Sequence, residues 1–151
     1  MNELVVSSQT WAVMKEQATI LFRSQFLPES IKTPEQAMAI AIKGHEVGLP
    51  MMQSFAQISI IKGKPGLGAE GMLYLIFKNC KGAEVDFPVY NNEECVIEAS
   101  RKGGKKHLFS FTMEDAKRAG LVKKDNWVAY PRAMLRSRCV SEMARTLFPD
   151  A

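Results

Sequence analysis

The residues best equipped for chemistry lie in the last stretch of the chain, NWVAYPRAMLRSRCVSEMARTLFPDA (126–151), where one Trp, one Tyr and four Arg interrupt an apolar-faced helical pattern. At about 100° per residue, Leu135, Cys139, Val140, Met143 and Leu147 share one side of a helix, with Arg138, Ser141 and Arg145 opposite. Arg132 and Arg136 stand one turn apart inside the apolar arc. An unpaired guanidinium is costly to desolvate there, so solvation alone does not explain them. Two readings stay open. Each arginine pairs with a carboxylate inside the fold, or both emerge into a groove where their planar donor forks grip phosphate and Trp127 and Tyr130 offer stacking surfaces to a base. Both aromatics would fit a core equally well.

The charge distribution points the same way. Net charge is +4 and the pI is near 9, but residues 1–100 carry eight Lys/Arg against eleven Asp/Glu, while residues 101–151 carry twelve against five. A polyanion-binding region needs such a surface, because each phosphate neutralised releases condensed counterions. A solubilising face would have the same composition. The candidate phosphate contacts are Lys62 and Lys64 in the turn KGKP, Arg101, Lys102, Lys105 and Lys106 around KGGKK, Lys123 and Lys124 in LVKKDN, and Arg132 and Arg136. Turn tips also collect Lys and Gly for solvation alone.

Those residues need elements to hold them. SSQTWAVMKEQATILFRSQFLP (7–28) has Trp11, Met14, Ala18, Leu21, Phe22 and Phe26 at helical spacing, and Pro28 should stop it. Its large side chains suit a subunit contact or packing within the fold. A second helix opens with Thr33 as N-cap, Pro34 at its first position and Gln36 closing a capping box, and it ends at Gly48. QISIIKGKPGL (57–67) reads as a strand entering a tight hairpin turn, and EGMLYLIFKNCKG (70–82) as a helix. AEVDFPVY, ECVIEASR and HLFSFT make an antiparallel meander, Thr112 caps a short helix ending at Gly120, and a long C-terminal helix follows. The expected fold is α+β in a single domain, residues 1–151: a small antiparallel meander and a hairpin packed with several helices.

Other chemistries are poorly served. Gly66-Leu-Gly-Ala-Glu-Gly71 is a literal G-x-G-x-x-G, but the surrounding pattern is a meander and not alternating βαβ units. A phosphate-binding nucleotide loop fails, since Ala69 and Glu70 stand where Lys and Ser/Thr are required. His45 and His107 lie far from any Cys at zinc-ligand spacing. Glu84, Asp86, Glu93, Glu94 and Glu98 could build a two-metal nuclease site, yet spacing fixes no third ligand beside Glu84 and Asp86. Cys80, Cys95 and Cys139 sit in apolar runs and read as reduced core thiols. With no basic, apolar leader at the start and no span-length apolar stretch, the expectation is a cytoplasmic protein with no membrane partner.

Trp127-x-x-Tyr130-Pro-Arg132-x-Met134-Leu-Arg136, followed by Ser, Ala-Arg and FPD, resembles the C-terminal core signature of the RecT-like single-strand annealing proteins of phages and prophages. AMAIAIKGHEVGLPMMQSF, ISIIKGKPGLGAEGMLYLI and FTMEDAKRAGLVKKDNW resemble, in order, successive blocks of the same family, so the match spans about residues 34–150. Gly63, Lys64, Pro65 and Glu70 fall in the hairpin-to-helix block. The match lacks the variable tail that usually follows FPD. The resemblance implies no cofactor and no enzymatic activity: ATP-independent annealing of complementary single-stranded DNA in recombination, through an annealed duplex intermediate, on a homo-oligomeric ring or filament with a basic groove. It also implies partners of the exonuclease or host single-strand-binding type. The alternatives are a metal-dependent nuclease or phosphoryl-transfer enzyme, and a basic protein-interaction domain.

Overall fold

The computed structural model describes residues 6–151. Where length suggests one domain, the chain divides into two compact units, the first ending at Leu67 and the second running Gly68–Ala151. Helices and two small antiparallel sheets make it an α+β protein.

In the first unit, α1 (Ser8–Arg23) starts at Ser7, whose hydroxyl accepts the Thr10 N–H at 3.1 Å. The helix stops short of Pro28 because Ser24 turns its hydroxyl back onto the Leu21 carbonyl at 2.6 Å and Gln25 takes a left-handed φ of 64°. Phe26 therefore lies beyond the helix, exposed. α2 (Pro34–Glu46) has Thr33 as its N-cap, while the Gln36 side chain accepts the N–H of Lys32 and not that of Thr33, one residue off the expected capping box. α3 (Met51–Gln57) has no side-chain cap and only seven residues, which is why it carries no sequence signal. It crosses α2 where Gly44 meets the buried Ser54, and a Cβ at Gly44 would overlap the Ser54 hydroxyl. The hairpin pairs β1 (Ile58–Ile61) with β2 (Lys64–Leu67). Its two-residue loop has Lys62 at φ 52° and Gly63 at φ 78°, the positive pair that matches strand twist. Met14, Ala18, Ile40, Ala41, Phe55 and Ile58 form this unit's core.

The second unit contains α4 (Ala69–Asn79), the meander β3 (Glu84–Tyr90), β4 (Glu94–Ser100) and β5 (His107–Thr112), then α5 (Met113–Arg118), α6 (Asp125–Ala129) and α7 (Pro131–Leu147). The strand order is β3-β4-β5. Central β4 turns Cys95, Ile97 and Ala99 into a core shared with Ile76 of α4 and with Leu135, Cys139 and Met143 of α7. Thr112 and Asp115 complete a reciprocal capping box, and the Thr112 N–H and hydroxyl hold the Asp115 carboxyl below its ordinary pKa. Gly120 takes the left-handed stop at φ 73°.

Arg101 ties the far end of β4 to the end of α7. Its Nη1 donates to Asp150 Oδ1 at 2.7 Å and to the Leu147 carbonyl at 3.0 Å, its Nη2 to Asp150 Oδ2 at 2.9 Å, and its guanidinium lies 5.3 Å from the Phe148 ring centre. This fork holds the Asp150 carboxyl below its usual range. A depressed native pKa contributes stability above the unfolded value, ordinarily about 3.9 for Asp, and loses it as pH falls through the native value. Asp150→Asn should therefore lower the Tm at about pH 6 and flatten its decline toward about pH 2. Parallel acid limbs for wild type and variant would contradict this role.

Candidate nucleic-acid interface

The segment expected as one arginine-bearing helix breaks at Tyr130. A residue before proline is sterically pushed out of helical conformation, and Pro131, lacking an N–H, suits the first position of a new helix. Tyr130 sits at φ −134° and ψ 59°. Its N–H donates to the Asn126 carbonyl at 2.8 Å, closing α6, and its own carbonyl accepts the Met134 N–H at 3.1 Å, opening α7. The shared cap leaves Tyr130 66% exposed. Two residues on, the Arg132 guanidinium lies 4.9 Å from the centre of the Tyr90 ring.

Tyr90 reaches that place through a register shift. Strict alternation along β3 would put Glu84, Asp86, Pro88 and Tyr90 on one outer face. Asp86 pairs with Glu98, but Val89 pairs with Val96 and Tyr90 with Cys95, so one extra residue is accommodated between Asp86 and Val89. Cross-strand partners share a face, and Cys95 points into the core beneath α7. The bulge thus turns Tyr90 toward the helix side, where Arg132 meets it. Tyr90, Asn91, Asn92, Tyr130, Pro131 and Arg132 surround an open cleft of about 450 Å³. Asn91 is occupied in shaping the β3–β4 turn, where its Oδ1 accepts the N–H groups of Glu93 and Glu94 at 2.8 and 2.9 Å.

The other expected site residues go elsewhere. Trp127 is 3% exposed and packs 6.2 Å from Phe111, so it is core and offers no stacking surface, a correction to the expectation for it. Arg136 takes the internal-pair option: its Nη2 lies 3.3 Å from Glu70 Oε1, and its Nε is buried without a hydrogen-bond partner. Arg101 is bound to Asp150 as described, and Lys106 lies 3.5 Å from Glu98. Lys102 and Lys105 are exposed on the β4–β5 turn, and Lys123 and Lys124 on the loop before α6. Lys62 and Lys64 are exposed on the hairpin of the first unit. The cleft unites only Tyr130 and Arg132 from the expected set. The KGGKK turn lies at the opposite end of β4 from Tyr90, about 20 Å along a seven-residue strand. Sequence reasoning missed Tyr90 and Asn92. The available signal was Pro88, since proline inside a strand marks an edge or a bulge.

Arg132 pairs with no carboxylate among the described residues. Its positive charge lies over the Tyr90 ring, and the exposed Tyr130 lines the same cleft, an arrangement suited to phosphate on the guanidinium and a base on a ring. The acidic meander is organised differently: Asp86 and Glu98 face each other across β3 and β4, Lys106 holds Glu98, and no group of three His, Cys, Asp or Glu among the described residues could hold a metal. The G-x-G-x-x-G string runs from β2 into α4 and leads to an antiparallel sheet, not the parallel one a dinucleotide fold requires. Cys95 and Cys139 are fully buried, and burial raises both thiols, Cys139 to about 12. Among the described residues no helix is long and apolar enough to cross a membrane. No family model, no curated protein and no solved structure matches the chain.

The two aromatics should part company on substitution. Trp127→Ala should cost about 3–5 kcal/mol in chemical denaturation, whereas Tyr130→Ala should stay within about 0.5 kcal/mol of wild type. A Tyr130 variant as damaged as the Trp127 variant would mean that the exposed ring is structural.

Proposed function

We propose that this chain binds single-stranded DNA without regard to sequence and pairs complementary strands without ATP, as a cytoplasmic, homo-oligomeric annealing protein of the RecT-like type. The observation that carries the reading is Arg132, free of any carboxylate among the described residues, set over the Tyr90 ring and lining one cleft with Tyr130. The cleft's Tyr130, Pro131 and Arg132 belong to the W-x-x-Y-P-R-x-M-L-R string that carries the family resemblance.

Annealing asks for this chemistry and little more. Two phosphate backbones repel each other, so a protein that pairs them neutralises charge and leaves the Watson–Crick edges exposed. Guanidinium contacts to phosphate carry no sequence information, and every base has a face that can stack on tyrosine. The exposed cations Lys102, Lys105, Lys123 and Lys124 extend the positive surface of the second unit beyond the cleft. Oligomerisation uses the apolar residues that the first unit leaves exposed on and just past α1, namely Trp11, Val13, Ile20 and Phe26.

The test is an annealing assay with two complementary oligonucleotides, without ATP, first in EDTA and then in magnesium. Wild type should accelerate duplex formation in both with the strands intact, and Arg132→Ala combined with Tyr130→Ala should remove most of the acceleration. Strands shortened only in magnesium would replace annealing with a nuclease, and an absence of DNA binding at low salt would leave a protein-interaction domain.

A further inference from the structure

A second cleft, of about 430 Å³, is lined by residues of the same two helices, α6 and α7, and of the loop before them. It is lined by Trp127 and Met134 together with Lys124, Asp125, Asn126 and Arg138. Lys124 and Arg138 are exposed and pair with no carboxylate among the described residues. Two cations against one carboxylate, that of Asp125, leave the cleft positive. With Trp127 only 3% exposed, no open aromatic face is available. The site therefore suits a phosphodiester and its sugar, not a base.

Its relation to the first cleft follows from the sheet register. Arg132 lies over Tyr90 at 4.9 Å, and Arg138 over Phe111 at 6.0 Å. Tyr90 and Phe111 are the cross-strand partners of the same residue, Cys95, one on each side. The two arginines of α7 thus stand over the two ends of a single three-residue row. That row spans two strand spacings, about 10 Å, on the order of three stacked nucleotides. Residues 129–133 border the first cleft, while residues of α6 and α7 on either side of them in sequence, Trp127, Met134 and Arg138, border the second.

We propose that the Lys124–Arg138 cleft is a second phosphate-binding subsite for the single strand held at Tyr90, Tyr130 and Arg132, so that one strand crosses the α6–α7 corner and contacts both. The inference rests on the single-strand reading above and assigns Arg138 a role in it that sequence position alone does not suggest.

Fluorescence anisotropy with labelled oligo-dT of increasing length separates the two claims. With wild type, Arg132→Gln, Arg138→Gln and Arg138→Lys, a dinucleotide should lose affinity only with Arg132→Gln. A dodecamer should lose it about tenfold at 0.1 M salt with either glutamine variant, and Arg138→Gln should reduce the slope of log affinity against log salt by about one. Arg138→Lys should retain most of the slope. If Arg138→Gln leaves dodecamer affinity and slope unchanged while Arg132→Gln weakens both, the subsite is wrong and the single-strand reading stands. If wild type binds no oligo-dT, both fall.

Discussion

A one-residue slip in the pairing of β3 with β4 is the constraint from which the candidate interface follows. Because side chains alternate faces along a strand, a shift of one residue reverses the face of everything beyond it. Ahead of the slip, Asp86 and Glu98 look outward as a polar pair; after it, Tyr90 joins Cys95 and Phe111 on the side that α7 covers. The same strand therefore provides a polar outer face at one end and an aromatic platform for an arginine at the other. Pro131 adds the second constraint, since it ends α6, starts α7 and leaves Tyr130 exposed at the joint.

Competition among the cations decides which of them are available to a ligand. Arg101 and Arg136 carry charge that the fold itself uses: one holds Asp150 and the end of α7, the other reaches Glu70 of α4. A guanidinium over an aromatic ring is held more loosely, by an attraction of about 0.5–1 kcal/mol at exposed sites, and keeps its donors free. Arg132 and Arg138 are of this second kind. The ring fixes where each cation stands without neutralising it, which is what a phosphate contact needs before the phosphate arrives.

Much of the fold was legible in the sequence because local rules acted without opposition. Thr33 and Thr112 cap helices as their positions suggest, Lys62-Gly63 forms the tight hairpin, and the three strand-like runs become the meander. The failures are tertiary. Phe26 reads as part of a helix face, but the chain leaves the helix at Ser24. α3 and α6 are too short to show a period. The wheel placed Arg132 and Arg136 together in the apolar arc, but only Arg136 is partly buried there, facing a carboxylate on α4, whereas Arg132 is exposed like Arg138 and Arg145 and faces a ring delivered by the bulge. Trp127 fits a core more readily than a stacking surface on residue type alone, and its packing on Phe111 selects the core.

The most direct test of the account is where a bound strand touches the protein. Photocrosslinking with an oligonucleotide carrying 5-bromodeoxyuridine, followed by peptide mass spectrometry, reads that contact residue by residue. The account predicts crosslinks at Tyr90 or Tyr130, lost when excess unlabelled single strand competes. Crosslinks confined to the Lys102–Lys106 turn or the Lys62–Lys64 hairpin, with none at either tyrosine, would contradict it.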